Sequence, residues 1–185
     1  MKQLAKAFLR LVFRDYSLYR IYTCATTAPV PPRTAQSAAL VVREVSLADL
    51  AASSDADMAE QSGYLGAGSH AFACFDGARI VGVCFYWHGA RYLERNFWPL
   101  QARQAKLVQI MTLPEMRGRA VASTLIAESC KAMAAHGFER TYARIWHSNT
   151  PSIRAFMRAG WERVATVAEV QPPGMRRSLR FTFKR

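Results

Sequence analysis

An apolar run over residues 107–113 stops at a proline and gives way to Pro114-Glu115-Met116-Arg117-Gly118-Arg119-Ala120-Val121-Ala122, after which helical periodicity begins. A strand that feeds a turn of small and basic residues, and a helix directly after it, restricts the fold sharply. The first N–H groups of that helix have no intrahelical acceptor and the helix dipole adds partial positive charge. Gly118, Ala120 and Ala122 keep the backbone approachable, and Arg117 and Arg119 add formal charge. Physically the junction is an anion site. A second pattern follows: Asn149-x-x-Ser152-x-x-x-Phe156-x-x-x-Gly160-Trp161.

The segments around these patterns alternate. Residues 40–45 read as a strand, Ser46 caps a short helix through Ala52, and a second polar helical stretch lies at 55–63. Residues 70–75 and 79–87 flank Asp76-Gly77 as a hairpin. The 107–113 run is apolar enough for a central strand covered on both faces, and Pro114 ends it. Residues 117–136 read as a long helix stopped by Gly137, 140–146 as a strand, 151–159 as a helix ended by Gly160, and 161–170 and 178–183 as strands. The expected fold is mixed α/β (α+β), a single domain over residues 38–185.

Ahead of it, residues 1–22 read as a basic amphipathic helix. Lys2, Lys6, Arg10 and Arg14 recur every four positions, Leu4, Phe8, Leu11 and Val12 gather on another side, and Tyr16, Tyr19 and Tyr22 continue the pattern. Such a helix can pack on its own domain or lie on an anionic membrane surface. The proline-rich run 26–37 reads as a linker, with a boundary near residue 38.

The 185 residues carry a formal net charge of +12, which invites a nucleic-acid reading. Mapped along the chain the excess sits at the ends: residues 1–39 hold six basic side chains against Asp15, and residues 171–185 hold five with no acid. The stretch between is nearly neutral and has no helix-turn-helix or RNA-binding aromatic pattern, so nucleic acid is not an expected partner. Cys24, Cys74, Cys84 and Cys130 lack C-x-x-C spacing and sit mostly in apolar runs. They read as buried free thiols of a cytoplasmic protein, and no metal site is expected. No apolar segment approaches the about 20 residues that cross a bilayer.

The stretch 114–122 resembles motif A of the Gcn5-related N-acetyltransferase (GNAT) superfamily, Pro-x-x-Arg/Gln-Gly-x-Gly-x-Gly/Ala, with Pro114, Arg117, Gly118, Arg119, Val121 and Ala122 in register and Ala120 in place of the middle glycine. Asn149, Ser152, Phe156, Gly160 and Trp161 are similar to motif B. The resemblance spans residues 40–185 and is strongest over 107–161. It implies a mostly antiparallel central sheet of six to seven strands flanked by helices, and acetyl-CoA or another acyl-CoA as co-substrate. Residues 117–122 would hold the diphosphate, backbone around Ile110, Met111, Thr112 and Leu113 the pantetheine arm, and Asn149, with Ser152 and Phe156, would border the cofactor. The reaction implied is direct transfer of an acetyl group to a primary amine of a small molecule or protein, with backbone N–H groups stabilising the oxyanion.

Phe156 stands where many relatives carry a tyrosine that protonates the leaving thiolate. A thiolate of pKa near about 8.5 departs without a strong acid, so catalysis survives this in principle. The proton-handling candidates are Ser152, His147, Glu115 and a water on Gln109. A catalytically weak acyl-CoA-binding or interaction module stays open as the alternative. For the acceptor side, the aromatic and basic cluster Trp87, His88, Arg91 and Tyr92 reads as a cleft wall, and the chain as a monomer or homodimer.

Overall fold

The computed structural model describes residues 15–172 and 178–185. Eight strands form one sheet: β1 (Asp15–Ala25), β2 (Leu40–Glu44), β3 (Ser69–Asp76), β4 (Arg79–Trp87), β5 (Gln104–Thr112), β6 (Arg140–Trp146), β7 (Glu162–Gln171) and β8 (Leu179–Lys184), in the spatial order β2-β3-β4-β5-β6-β1-β7-β8. Every neighbouring pair is antiparallel except β5 and β6. Among the described residues four α-helices accompany them: α1 (Leu47–Ala51), α2 (Ala56–Glu60), α3 (Val121–Ala132) and α4 (Thr150–Arg158). Among the described residues no helix is long and apolar enough to cross a membrane.

The local signals act as their chemistry requires. Ser46 caps α1 in a reciprocal box with Asp49, and the β3–β4 pairing closes from Asp76 to Arg79 around Gly77, whose φ is 58°. β5 ends before Pro114. The long helix starts later than expected: residues 117–120 stay in a turn, and α3 runs from Val121 into a 3₁₀ turn, Met133–His136, closed by Gly137 at φ 81°. The large core lies between α3, α4 and the sheet, around Phe72, Phe85, Tyr86, Leu125, Ile126, Met133 and Phe156. Cys24, Cys74, Cys84 and Cys130 are all buried and free.

One expectation is overturned. Over residues 15–22 the chain is a strand, not a helix, and the rest of the expected helix, residues 1–14, lies outside the described residues. β1 is inserted between β6 and β7, antiparallel to both, which raises the strand count to eight. The proline-rich run therefore connects two strands of the same sheet. The physical reason is visible in the side chains: the four-residue basic spacing stops at Arg14, and Tyr19, Ile21 and Thr23 alternate with Arg20, Tyr22 and Cys24. Tyr19, Ile21, Tyr22, Thr23 and Cys24 are all buried, as a strand covered on both faces requires. Aromatic and β-branched residues favour such a pleated surface over a helix.

Candidate functional site

The site is created where two parallel strands part. β5 and β6 pair only from Gln104↔Arg140 to Leu107↔Ala143; beyond this they diverge. The far half of β5 remains paired with β4 through Thr112, so its backbone groups on the other edge are open to a ligand. At the point of parting the β4–β5 register slips, from Phe85↔Gln109 to Tyr86↔Leu107, leaving Val108 as a bulge. Arg95 fixes that bulge: one guanidinium nitrogen donates to the Val108 carbonyl at 3.2 Å and another to the Tyr64 hydroxyl at 3.1 Å.

Two cavities flank the open edge. One, of about 430 Å³, is lined by Ile110, Met111 and Thr112 of β5, by Arg117, Gly118, Ala120, Val121, Ala122 and Ser123, and by Pro151, Ser152, Arg154, Ala155 and Arg158 of α4. The other, of about 210 Å³, lies in the fork itself between Leu107–Ile110 and Ala143–Trp146, with Arg95, Phe97, Asn149, Ser152 and Phe156 completing the wall. Ile110 and Ser152 belong to both.

The turn has the backbone of an anion cradle. Gly118 and Ala120 are both left-handed, at φ 81° and 60°, and the first helical bond of α3 runs from Thr124 to Ala120. The N–H groups of Val121, Ala122 and Ser123 thus precede any intrahelical acceptor. Ala120 adopts the conformation that favours glycine, so the substitution at the motif's middle position retains the shape with some strain. Gly82 of β4 brings the helix close to the sheet: a Cβ there would meet Val121 Cγ1 at 3.0 Å and the Met111 carbonyl at 3.1 Å.

The sequence candidates divide. Met111, Thr112, Arg117, Gly118, Ala120, Val121, Ala122 and Ser152 all line the larger cavity, while Asn149, Ser152 and Phe156 line the fork. Leu113 is buried, and Arg119 is exposed and lines neither cavity. Asn149 caps α4 by accepting the Ser152 N–H at 3.2 Å. Phe156 is buried edge-on against Trp161, 4.9 Å between ring centroids.

Glu115 lies outside both cavities, ion-paired to Arg79 at 2.6 Å. Its own backbone N–H and Arg79 hold its carboxyl below the usual range. His147 is exposed at the end of β6 and also lines neither cavity. The Gln109 amide donates to Gln61 Oε1 at 2.9 Å.

Trp87, His88, Arg91 and Tyr92 line neither cavity. The Trp87 indole donates to the Tyr64 carbonyl at 2.9 Å with Arg91 stacked over it at 4.6 Å, and His88 stacks on His70. Tyr92 and Phe97 cover the ammonium of Lys106 at 4.3 and 4.7 Å. Lys106 is fully buried, donating to the Arg95 carbonyl and Asn96 Oδ1. Burial, then Arg180 and Arg144, push its pKa down to about 8.

With Arg95, the wall of the fork is completed by residues that sequence reasoning did not single out: Phe97 before β5, and Arg144 and Trp146 on β6. It continues into a neighbouring cavity through Arg95, Phe97 and Arg144 to Tyr19 and Glu169. The Tyr19 hydroxyl donates to Glu169 Oε1 at 2.7 Å, and burial together with that bond raises the phenol well above its usual range. Arg154 and Arg158 were also missed, though a signal existed: with Pro151, Ser152 and Ala155 they fall on one face of a helix.

A family model, Acetyltransferase (GNAT) family, matches residues 39–161. The chain belongs to the GNAT acetyltransferase family. Solved structures share the fold. A GNAT-family protein from Novosphingobium aromaticivorans DSM 12444 is 17% identical with a TM-score of 0.53, over 85% of this chain and 65% of that one. A GNAT acetyltransferase from Colwellia psychrerythraea is 14% identical with a TM-score of 0.55, over 98% and 62%. A Gcn5-related N-acetyltransferase from Sphaerobacter thermophilus is 13% identical with a TM-score of 0.53, over 95% and 58%. The chain thus spans less than two thirds of the length of these structures, and at these identities the likeness concerns the fold alone. No curated protein matches the chain.

Proposed function

We propose that the chain is an acetyl-CoA-dependent N-acetyltransferase acting on a primary amine of a small molecule or protein. The observation that carries this reading is the parting of β5 and β6 after Leu107 and Ala143, which leaves one open strand edge joining an anion cradle to a second cavity.

An acyl-CoA fits that arrangement group by group. Its diphosphate suits the N–H groups at the start of α3 and the guanidinium groups of Arg117, Arg154 and Arg158 around the same cavity. The pantetheine amides suit the free edge of Ile110–Thr112 as a strand-like partner. The thioester then reaches the Val108 bulge, where re-aimed backbone is positioned to stabilise charge on its carbonyl oxygen.

The acceptor approaches from the fork, between Arg95, Phe97, Arg144 and Trp146. The Glu169 carboxylate beyond it favours an incoming ammonium and supplies an acceptor for the proton the amine must lose before attack. The neutral amine adds to the thioester carbon, the C–S bond breaks, and the thiolate takes a proton. Ser152 is the hydroxyl-bearing side chain common to both cavities and is assigned to relay that proton from water. Positioning supplies most of the acceleration.

The reading is tested in two steps. Thermal unfolding with acetyl-CoA at about 100 times its dissociation constant should raise stability by roughly 2.7 kcal/mol. Thiol release with a panel of amines should follow, and Ser152→Ala should lower kcat while leaving KM for acetyl-CoA unchanged. Absence of any shift with acetyl-CoA and with longer acyl-CoAs would overturn the proposal. Phe156 favours one second reading, a binding module without turnover; a thermal shift without thiol release would select it.

A further inference from the structure

We propose that Glu44, His70 and His136 form a binding site for a divalent transition-metal ion of the Zn²⁺ class, separate from the acyl-transfer cavities. Glu44 ends β2, His70 lies near the start of β3, and His136 sits in the 3₁₀ turn that follows α3. One ligand atom from each lies within 4.8 Å of the others. Glu44 Oε1 is 2.8 Å from His70 Nδ1, and Glu44 Oε2 is 3.0 Å from His136 Nε2. None of the three lines either acyl-transfer cavity.

The donor set and its geometry suit such an ion. Two imidazoles and one carboxylate are a common three-ligand set for zinc, with bonds of about 2.0–2.2 Å, which place tetrahedral ligand atoms about 3.3 Å apart. The two observed separations run to different oxygens of Glu44, so closing on one ion requires the carboxylate to turn and the ligand atoms, all within 4.8 Å of one another, to draw into a tetrahedral set. The side chains are partly exposed, 43% for Glu44, 19% for His70 and 30% for His136, which leaves a solvent path and room for a water as fourth ligand.

The surroundings argue that the cluster is more than a surface ion pair. Three of the four histidines of the chain converge here: the His70 and His136 rings are 4.0 Å apart, and His88 stacks on His70 at 5.3 Å. Phe138 packs against His70 and His88, and Phe72 stands edge-on to His136. Neutral imidazoles carry the lone pairs that a metal needs. An ion there would tie the far end of α3, whose first turn forms the anion cradle, to β2 and β3.

The test is a calorimetric titration of ZnCl₂ into the full chain, freed of any affinity tag and treated with chelator, alongside thermal unfolding with and without Zn²⁺. One equivalent should bind, and the melting temperature should rise by several degrees and fall back on addition of EDTA. His70→Gln, His136→Gln and Glu44→Gln, which keep hydrogen-bonding side chains, should each weaken binding at least tenfold while melting normally without metal. His147→Gln, outside the cluster, should bind like the unaltered chain. No binding by the unaltered chain, or binding that survives all three cluster substitutions, would overturn the proposal. Because acetyl-CoA is absent from the assay, the outcome is independent of the acyltransferase reading.

Discussion

At the scale of single residues, Ala120 and Lys106 carry the most readable strain. Ala120 holds a φ of 60° at the start of α3, a conformation that costs a non-glycine residue about 1–2 kcal/mol. Glycine there would relieve that cost and add about 0.5–1 kcal/mol of chain entropy to the unfolded state, so Ala120→Gly should stabilise by about 0.5 kcal/mol, whereas Ala120→Val, β-branched, should lose about 1 kcal/mol or more. Urea midpoints measure both; equal midpoints for the two variants would contradict the left-handed turn. Lys106 is a buried ammonium whose pKa falls to about 8 from an unfolded value near about 10.4. The folded state therefore releases the proton first, so this group's penalty is fully present below pH about 8 and fades as pH rises toward about 10. Relative to Lys106→Met, the unaltered chain should gain stability over that window; parallel pH profiles would refute it.

At the scale of elements, β1 is the piece whose role differs most from its sequence signal. Ile21 is fully buried in the middle of it, and Ile21→Ala should cost about 2–4 kcal/mol. A loss under 0.5 kcal/mol in urea unfolding would contradict a central strand. The difference has a definite origin: Lys2, Lys6, Arg10 and Arg14 recur every four residues and Tyr16, Tyr19 and Tyr22 every three, spacings that resemble one helix face, although the tyrosines lie in a strand. From residue 40 onward the elements were legible because each is bounded by local chemistry, such as Ser46, Gly77, Pro114, Gly137 and Gly160. The same holds for the site. The anion cradle is a contiguous turn and could be read, together with its partner helix around Ser152 and Phe156. The fork walls, Arg95, Phe97, Arg144 and Trp146, come together only because two strands separated by residues 113–139 diverge, and nothing local encodes that. The cluster at 87–92 has the composition of a binding surface, but its side chains have partners within the fold: Arg91 lies over Trp87, and Tyr92 covers Lys106.

At the scale of the whole molecule, the arrangement is one sheet with a charged entrance. The nearly neutral middle of the chain still concentrates Arg117, Arg154 and Arg158 around one cavity, so charge placement, more than the net +12, makes that cavity suited to an anion. Arg154 and Arg158, four residues apart on α4, should act jointly. The double change to Ala should weaken acetyl-CoA binding at least tenfold, with a smaller salt dependence than the unaltered chain has. If affinity and salt dependence stay unchanged, these arginines face solvent and not the ligand.

The most direct test of the central claim, that the turn after Pro114 holds the diphosphate of an acyl-CoA, is a pair of calorimetric titrations with acetyl-CoA and with S-acetylpantetheine, which has the thioester arm but no diphosphate. Acetyl-CoA should bind with one-to-one stoichiometry and at least a hundredfold more tightly than S-acetylpantetheine, a difference that Arg117→Ala combined with the α4 double change largely erases. Equal affinity for the two ligands, or no heat from either, would contradict the account.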